Sequence, residues 1–176
     1  GVEIHGANVY LLDQFLQDST NLRIDAYGGP IENRARLMLE VVDACIEVWG
    51  ADRVGLHLAP RGDAMSMGDS NPLATFGYVA EQMRRRKIAF LCTREYEGAD
   101  SISPQLKKIF GGVLIANEKF TKETAEAAIN SGRADAAAFG QLFIANPDLP
   151  ERFKINAPLN MPDPSTFYAQ GPKGYI

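Results

Sequence analysis

Residues 53–93, RVGLHLAPRGDAMSMGDSNPLATFGYVAEQMRRRKIAFLCT, contain the pattern that decides the fold class. An apolar run at Arg53–Ala59 is followed by a helical pattern at Pro72–Lys87, for which Asn71 is the expected N-cap. A second apolar run follows at Ile88–Thr93. Short runs that are apolar throughout are typical of strands with both faces buried, as in parallel sheets. The segment therefore predicts a strand–helix–strand unit with two parallel strands.

The same alternation continues on both sides of this unit. Further strands are predicted at Val2–His5, Gly112–Ala116 and Asp135–Phe139. Further helices are predicted at Pro30–Trp49, Ser103–Phe110, Thr121–Ser131 and Pro147–Asn156. The order βαβαβαβαβα indicates an α/β domain with right-handed crossovers. It leaves two architectures open, an open doubly wound sheet and a barrel. A Gly-x-Gly-x-x-Gly motif does not follow the first strand, which argues against a dinucleotide-binding fold.

Composition narrows the functional classes. The 176 residues carry a net charge of −4, and 45% are hydrophobic, as in ordinary globular proteins. The basic run Arg84–Lys87 falls at a predicted helix end, where cations complement the helix dipole, so a nucleic-acid partner is not expected. Apolar runs are too short for a membrane span. Cys45 and Cys92 do not form a disulfide pattern, which favours a reducing, cytoplasmic location.

Candidate catalytic residues follow the first predicted strand, because parallel α/β folds collect function at the carboxyl ends of their strands. His5 and Asn8 are two hydrogen-bond donors that could stabilise negative charge developing on a substrate oxygen. Tyr10 is a phenol that could deliver a proton. From spacing alone, a structural role is the commoner explanation, with His5 ending the strand and Tyr10 packing beside it.

The ends of the fourth and fifth predicted strands are candidate phosphate sites. Residues 117–120 and 140–141 precede helical segments, whose first backbone N–H groups could face an anion. Ordinary strand-to-helix turns would explain the same residues. The two histidines, His5 and His57, lie on separate strands without a ligand pattern, so a metal site is not predicted.

Residues 2–40, VEIHGANVYLLDQFLQDSTNLRIDAYGGPIENRARLMLE, closely resemble the Old Yellow Enzyme family of FMN-dependent ene-reductases. Further similarity lies in GADRVGLHLAP at 50–60, in residues 111–143, in FIANPDLPERF at 143–153 and in the tail at 159–176. The resemblance covers essentially the whole chain. It implies that residues 1–156 form the C-terminal half of a TIM barrel, strands four to eight of eight. Residues 157–176, which are rich in Pro and Gly, are predicted to form an irregular tail.

The resemblance also implies an oxidoreductase reaction. NAD(P)H reduces FMN, and the flavin then transfers hydride to the β-carbon of an α,β-unsaturated carbonyl compound, nitroalkene or maleimide. His5 and Asn8 would hold the substrate oxygen, and Tyr10 would donate the proton at the α-carbon. Tyr168 would lie near this small-molecule electrophile.

The implied flavin contacts depart from the family pattern in several places. These contacts are His57 beside the flavin ring and Asn117, Glu118, Gly140 and Gln141 around the phosphate. His57 and Gln141 stand where the family usually has Arg, and the loss of an Arg–phosphate contact removes a charge-assisted hydrogen bond. Glu118 and Lys119 stand where the family usually has Gly beside the phosphate. Together, the differences at His57, Gln141, Glu118 and Lys119 predict weakened flavin binding. Val9 also stands where the family usually has Gly, which is expected to restrict the loop that sets the Tyr10 phenol.

Three hypotheses follow for the function of the chain. It begins inside a predicted strand and lacks the family's first three strands, so we expect its N-terminal half to be missing. The first hypothesis is a flavoprotein half that is weakly active or inactive until another chain or its own missing half completes the barrel. The second is a non-catalytic remnant that self-associates as a homo-oligomer and has eroded FMN binding. The third is a binder of a phosphate ligand without redox chemistry.

Overall fold

The computed structural model describes residues 1–62, 65 and 67–174. Five parallel strands form one sheet: β1 (Val2–Gly6), β2 (Val54–Leu58), β3 (Phe90–Arg94), β4 (Val113–Asn117) and β5 (Ala136–Ala138). The strands follow one another across the sheet in chain order, β1-β2-β3-β4-β5. A doubly wound sheet reverses its strand order at a switch point, whereas a barrel does not. The parallel α/β prediction is confirmed, and the doubly wound alternative is wrong.

Eight α-helices occur in the described ranges. They are α1 (Leu11–Leu16), α2 (Ile31–Arg34), α3 (Arg36–Trp49), α4 (Pro72–Arg86), α5 (Ser103–Phe110), α6 (Lys122–Asn130), α7 (Gln141–Ala145) and α8 (Leu149–Ile155). The prediction of one helix at Pro30–Trp49 is wrong, because Ala35 separates α2 from α3. The break coincides with the burial of the preceding side chain, Arg34. None of the described helices is long and apolar enough to cross a membrane.

Most of the core lies between strands β1–β3 and the helices that cover their outer face. Leu56 and Leu58 on β2 are fully buried there, against Met38 of α3 and Phe76 of α4. A second, smaller cluster covers β4 and α6 and consists of Leu114, Ala116, Phe120, Ala125, Ala128 and Ala134. A cavity of about 320 Å³ opens beside this second cluster. The two ends of the sheet are therefore packed to different depths.

The opposite, inner face of the sheet carries polar side chains in register. His5, His57 and Cys92 are neighbours at one level across β1, β2 and β3. One level nearer the carboxyl ends, Arg94 of β3 neighbours Asn117 of β4. Side chains two residues apart on a strand point to the same face, so both levels belong to the inner face. We call the carboxyl ends of the five strands, with the segments that directly follow them, the rim.

The guanidinium of Arg34 connects several loop segments through hydrogen bonds. It donates to the backbone oxygens of Leu16 at 2.7 Å and Gly29 at 3.1 Å, and to Asp69 Oδ2 at 2.8 Å. Thr75 Oγ1 donates to the other oxygen of Asp69 at 2.9 Å. The side chains of Arg34 and Asp69 are 6% and 1% exposed. This buried ion pair joins the segment after β1 to the segment before α4.

Candidate active site

Three aromatic rings meet where β1 and β2 end. The centroid of the His5 ring lies 5.3 Å from that of Tyr10 and 5.3 Å from that of His57, edge-on in both pairs. Tyr10 is the N-cap residue of α1 and is 65% exposed. A molecule seated against His5 would therefore be within reach of the Tyr10 phenol. His5 and Tyr10, two of the three predicted catalytic residues, therefore lie on one surface.

A left-handed turn creates this arrangement. Asn8 and Val9 have φ angles of 58° and 62°, which reverse the chain between His5 and Tyr10. Asn tolerates this region, but a β-branched residue there is a genuine outlier. Asp13 holds the turn from α1, because its Oδ2 accepts a hydrogen bond from Val9 N at 3.1 Å. Burial raises the pKa of the Asp13 carboxyl, against the lowering effect of hydrogen bonds from Gln17 and Val9.

Arg94 connects the two sides of the rim. Its Nη1 donates to Asn8 Oδ1 at 2.9 Å, and its Nε donates to Glu118 Oε2 at 2.6 Å. Sequence reasoning missed Arg94, because it placed the end of the third strand at Thr93. The detectable signal was an Arg directly after an apolar strand, at the end where functional side chains collect. Arg94 therefore links a predicted catalytic residue to a predicted phosphate residue.

His57 lies on the inner face beside a carboxylate and a thiol. Its Nδ1 is 3.9 Å from Glu3 Oε1, and its Nε2 is buried without a hydrogen-bond partner among the described residues. Burial lowers the pKa of His57, although Glu3 opposes the shift, so the ring is mainly neutral at neutral pH. Burial, followed by the influence of Glu3, raises the pKa of Cys92 to about 12. One ligand atom from each of the three side chains lies within 4.8 Å of the others.

The predicted phosphate residues line one cavity at the ends of β4 and β5. Its volume is about 320 Å³, and Asn117, Glu118, Gly140 and Gln141 all contribute to its wall. Asn117 Nδ2 donates to the backbone oxygen of the last β5 residue, Ala138, at 2.8 Å, which fixes that amide. The structure thus brings the four residues predicted for the phosphate together.

The loop that forms one wall of this cavity has an unusual backbone. Glu118 and Lys119 have φ angles of 98° and 56°, in the left-handed region that favours glycine. The carboxylate of Glu118 is paired with Arg94, and the ammonium of Lys119 lies 5.3 Å from the centroid of the Tyr96 ring. The loop therefore keeps a glycine-type conformation although it contains no glycine at these two positions.

Tyr168 is placed differently from the other predicted residues. Its side chain is fully exposed, at 100%. Among the described residues, no aromatic ring contact joins Tyr168 to His5 or Tyr10. Its proximity to a substrate remains a prediction.

Several known proteins are similar to this chain over nearly its whole length. 12-Oxophytodienoate reductase 1 of Oryza sativa subsp. japonica is 44% identical over 181 residues, which cover 98% of this chain and 48% of that protein. A protein of Leishmania infantum, described as a probable flavin mononucleotide-dependent alkene reductase, is 45% identical and covers 99% of this chain and 49% of its own length. The chain spans about half the length of these curated relatives.

Solved structures show the same relation in three dimensions. The old yellow enzyme homologue from Zymomonas mobilis has a TM-score of 0.95 and 44% identity, over 99% of this chain and 52% of that one. Morphinone reductase has a TM-score of 0.93 and 45% identity, over 98% and 48%. The five βα units thus correspond to about half of the TIM barrel of these proteins. The family model of the NADH:flavin oxidoreductase / NADH oxidase family matches residues 1–160. The chain belongs to that family.

Proposed function

We propose that this chain is the substrate-binding half of an NAD(P)H:FMN oxidoreductase that reduces activated C=C bonds once its barrel is complete. The substrates would be small α,β-unsaturated carbonyl or nitro compounds. The observation that supports this proposal most directly is the placement of His5, Asn8 and Tyr10 at one point of the rim. The relative from Leishmania infantum is described as a probable flavin mononucleotide-dependent alkene reductase, which agrees with this chemistry.

His5 and Asn8 act on the substrate oxygen. Reduction of an activated alkene places negative charge on that oxygen, and preorganised donors stabilise developing charge more than they stabilise the neutral substrate. Tyr10, whose ring lies 5.3 Å from that of His5, delivers its phenolic proton to the α-carbon. When bound, FMN supplies the hydride for the β-carbon, after it has been reduced by NAD(P)H.

Arg94 acts as a positioning residue for Asn8. Because the Asn8 Oδ1 accepts a hydrogen bond from Arg94 Nη1, the amide nitrogen of Asn8 remains available as a donor to the substrate. Glu118 fixes the other side of the same guanidinium. The orientation of the substrate-side amide therefore depends on a residue of the phosphate-side loop.

The inner face offers two contacts that suit a flavin mononucleotide, and its charge suits the phosphate less well. The unpaired Nε2 of His57 is available to a polar group of the ring system. The cavity at the ends of β4 and β5 is large enough for a phosphate, and left-handed backbone next to it is typical of anion-binding turns. However, Gln141 is neutral, and the nearby Arg94 guanidinium is already paired with the Glu118 carboxylate rather than free to bind a phosphate. We therefore propose that FMN binds, and binds weakly.

NAD(P)H is the proposed reductant. Morphinone reductase, with a TM-score of 0.93 and 46% identity, has been solved in complex with tetrahydroNAD. This relationship supports a nicotinamide donor for the present chain.

The proposed partner is a complementary half barrel. Among the described residues, β1 and β5 each have a strand neighbour on one side only. His5 and Glu3 on the polar inner face are exposed, and a completed barrel would cover them. Self-association of two copies through the same face is the second candidate, because unpaired strand edges favour association. We also propose a cytoplasmic location, since Cys45 and Cys92 are both free thiols.

Absorbance and molecular mass of the purified chain separate these candidates. A change in the absorbance spectrum of added FMN that shows it is bound to the chain, together with a monomeric mass, supports the half-enzyme. A colourless stable dimer supports the self-associating remnant. Activity is measured with NAD(P)H and N-ethylmaleimide, on the chain alone and after mixing with a separately expressed N-terminal half of the Zymomonas mobilis homologue.

Tyr10→Phe tests the assigned chemistry. The variant keeps the ring and removes the acid, so alkene reduction should slow by about 10²–10⁴-fold. Reduction of FMN by NAD(P)H should stay unchanged, because it does not use this proton. The matched control is Tyr78→Phe on α4, which removes a phenolic oxygen away from the rim. Equal alkene reduction by Tyr10→Phe and the parent protein would remove Tyr10 from the mechanism.

A further inference from the structure

Glu3, His57 and Cys92 form a compact group, of which the proposed flavin site uses only His57. They come from three adjacent strands and share the inner face of the sheet. His57 and Cys92 are direct register partners, and Glu3 lies one level below, opposite Gly55. One ligand atom of each side chain lies within 4.8 Å of the other two. The group therefore brings one nitrogen, one sulfur and one oxygen ligand atom close together.

The surroundings of the group favour a cation. Glu3 forms an ion pair only with His57 among the described residues, and that pair is long, at 3.9 Å. The ring of Phe90 fills the space over Gly55, where a β-carbon would lie 2.2 Å from the ring. The Glu3 side chain is 43% exposed, so a cation can reach its carboxylate from the inner face.

We propose that Glu3, His57 and Cys92 form a zinc-binding site on the inner face of the sheet. Cys, His and Glu are all established ligand types for Zn²⁺, and three protein ligands with one open position is a recognised zinc geometry. Tetrahedral bonds of about 2.0–2.3 Å bring ligand atoms to roughly 3.5 Å from one another. Side-chain rotations that shorten the separations between the ligand atoms by about 1 Å are enough to close the site.

The charges of the group balance on metal binding. A carboxylate and a thiolate supply two negative charges, the imidazole is neutral, and Zn²⁺ supplies two positive charges. The metal itself deprotonates a coordinating thiol, so the protonated Cys92 of the metal-free chain does not prevent binding. The site ties β1, β2 and β3 together through their inner faces. It is compatible with the proposed flavin contact, since Nδ1 faces Glu3 and Nε2 remains free.

The test uses the reduced, chelator-treated 176-residue chain without flavin. Zn²⁺ is titrated in competition with a chromophoric chelator, and Co²⁺ is added separately as a spectroscopic probe. One Zn²⁺ per chain is expected, with a rise in the melting temperature. Co²⁺ should produce a near-ultraviolet thiolate charge-transfer band, which requires a Co–S bond.

Two variants and a control assign the binding to this site. Cys92→Ser should abolish the cobalt band and weaken Zn²⁺ binding by about tenfold or more, equivalent to at least ~1.4 kcal/mol. Glu3→Gln should also weaken binding, and it keeps the size of the side chain if Cys92→Ser disturbs folding. Cys45→Ser, which removes the other free thiol on α3, should change neither measurement.

The proposal is overturned if the parent chain shows no cobalt charge-transfer band. It is overturned equally if Cys45→Ser removes the band, or if Cys92→Ser and Glu3→Gln both bind Zn²⁺ like the parent. Because the measurement needs no flavin, its outcome is independent of the flavin titration. A chain that binds FMN without zinc contradicts only the metal site, and one that binds zinc without FMN contradicts only the redox function.

Discussion

The two ends of the sheet differ in what holds them together. Around β1–β3, large side chains such as Phe76, Met38 and Leu58 are fully buried in one continuous core. Around β4 and β5, much of the smaller core is alanine, as at Ala125 and Ala128, and a cavity of about 320 Å³ opens beside it. Since apolar stabilisation scales with the area removed from water, the first end should be the more stable one.

The difference extends to the polar contacts. The first end contains the buried Arg34–Asp69 pair, whereas the pair of Lys107 and Asp135 at the second end is 21% and 41% exposed. The predicted substrate residues rest on the first end, and the predicted phosphate residues rest on the second. We therefore expect the fold to hold the predicted substrate residues more firmly than the predicted phosphate residues.

The largest expected effect is at the buried ion pair. Asp69→Asn leaves the Arg34 guanidinium buried beside a neutral amide, which should cost about 3–5 kcal/mol in free energy of unfolding. The matched control is Asp43→Asn, whose partner Arg86 is on the surface of α4; its cost should be about 0–1 kcal/mol. Urea denaturation of both variants measures the difference. Similar costs would mean that burial does not distinguish the two pairs.

The ionisation of Asp69 also predicts how the stability of the chain depends on pH. Burial opposes ionisation of Asp69, but hydrogen bonds from Arg34, Asn71 and Thr75 outweigh it and hold its pKa below the ordinary value. A lowered folded-state pKa contributes stability that is present above the unfolded value of about 3.9 and is lost as pH falls through the folded value. The parent chain should therefore lose more stability than Asp69→Asn between pH 5 and the acid side of that window. Parallel losses would contradict the role of the pair.

A pair of core truncations compares the two clusters directly. Leu56→Ala in the large cluster and Leu114→Ala in the small one each remove the same atoms from a site that is at most 1% exposed. Leu→Ala costs about 2–5 kcal/mol, and the cost rises with the cavity that remains. Leu56→Ala should lie near the top of this range. Leu114→Ala should lie near the bottom, because Leu114 already lines an open cavity. The reverse order in urea denaturation would refute the packing difference.

The sequence predicted the strands well because each is a short apolar run bounded by turn residues. The third strand shows the limit, since its prediction began at Ile88 while pairing starts at Phe90. Lys87 has a left-handed φ of 56°, and the chain must pass this turn before it joins the sheet. The six residues of α1 were not predicted as a helix, because so short a segment shows little periodicity.

Candidate residues could be grouped from the sequence where they lie close together along the chain, whereas their roles rested on the family resemblance, because spacing alone favoured structural roles. His5, Asn8 and Tyr10 lie within six residues of each other, and the rim brings together the strand ends that contain Asn117 and Gln141. The group of Glu3, His57 and Cys92 was not predictable, because its members meet only through the register of three strands. The hydrogen bond from Arg94 to Asn8 depends on the same long-range placement.

Gln141→Arg would sharpen the comparison at the phosphate side. An Arg at this wall of the cavity adds a charge-assisted hydrogen bond to a phosphate, worth about 1.5–3 kcal/mol, so FMN should bind roughly 10- to 100-fold more tightly. The control is Gln170→Arg, which adds the same charge at an exposed position of the tail. Fluorescence titration with FMN measures both. Equal tightening by the two variants would indicate a general charge effect, and no change in Gln141→Arg would place the phosphate elsewhere.

The smallest effect concerns the two left-handed turns, one at each end of the sheet. Val9→Gly removes the strain of a β-branched residue at a φ of 62°, which costs roughly 1–2 kcal/mol, against an added flexibility cost of about 0.5–1 kcal/mol. Its net effect should be a gain of about 0–1.5 kcal/mol in the free energy of unfolding. Lys119→Gly should be closer to neutral, because Lys is unbranched at its β-carbon.

The control for these turns is Val48→Gly, at an exposed position in α3, which should destabilise by about 0.5–1 kcal/mol. The same substitution thus has opposite signs at Val9 and Val48 if the turn is strained. A loss at Val9 as large as that at Val48 would show that the turn is relaxed. In that case Val9 would be an ordinary part of the well-packed end, and strain would be confined to the phosphate loop.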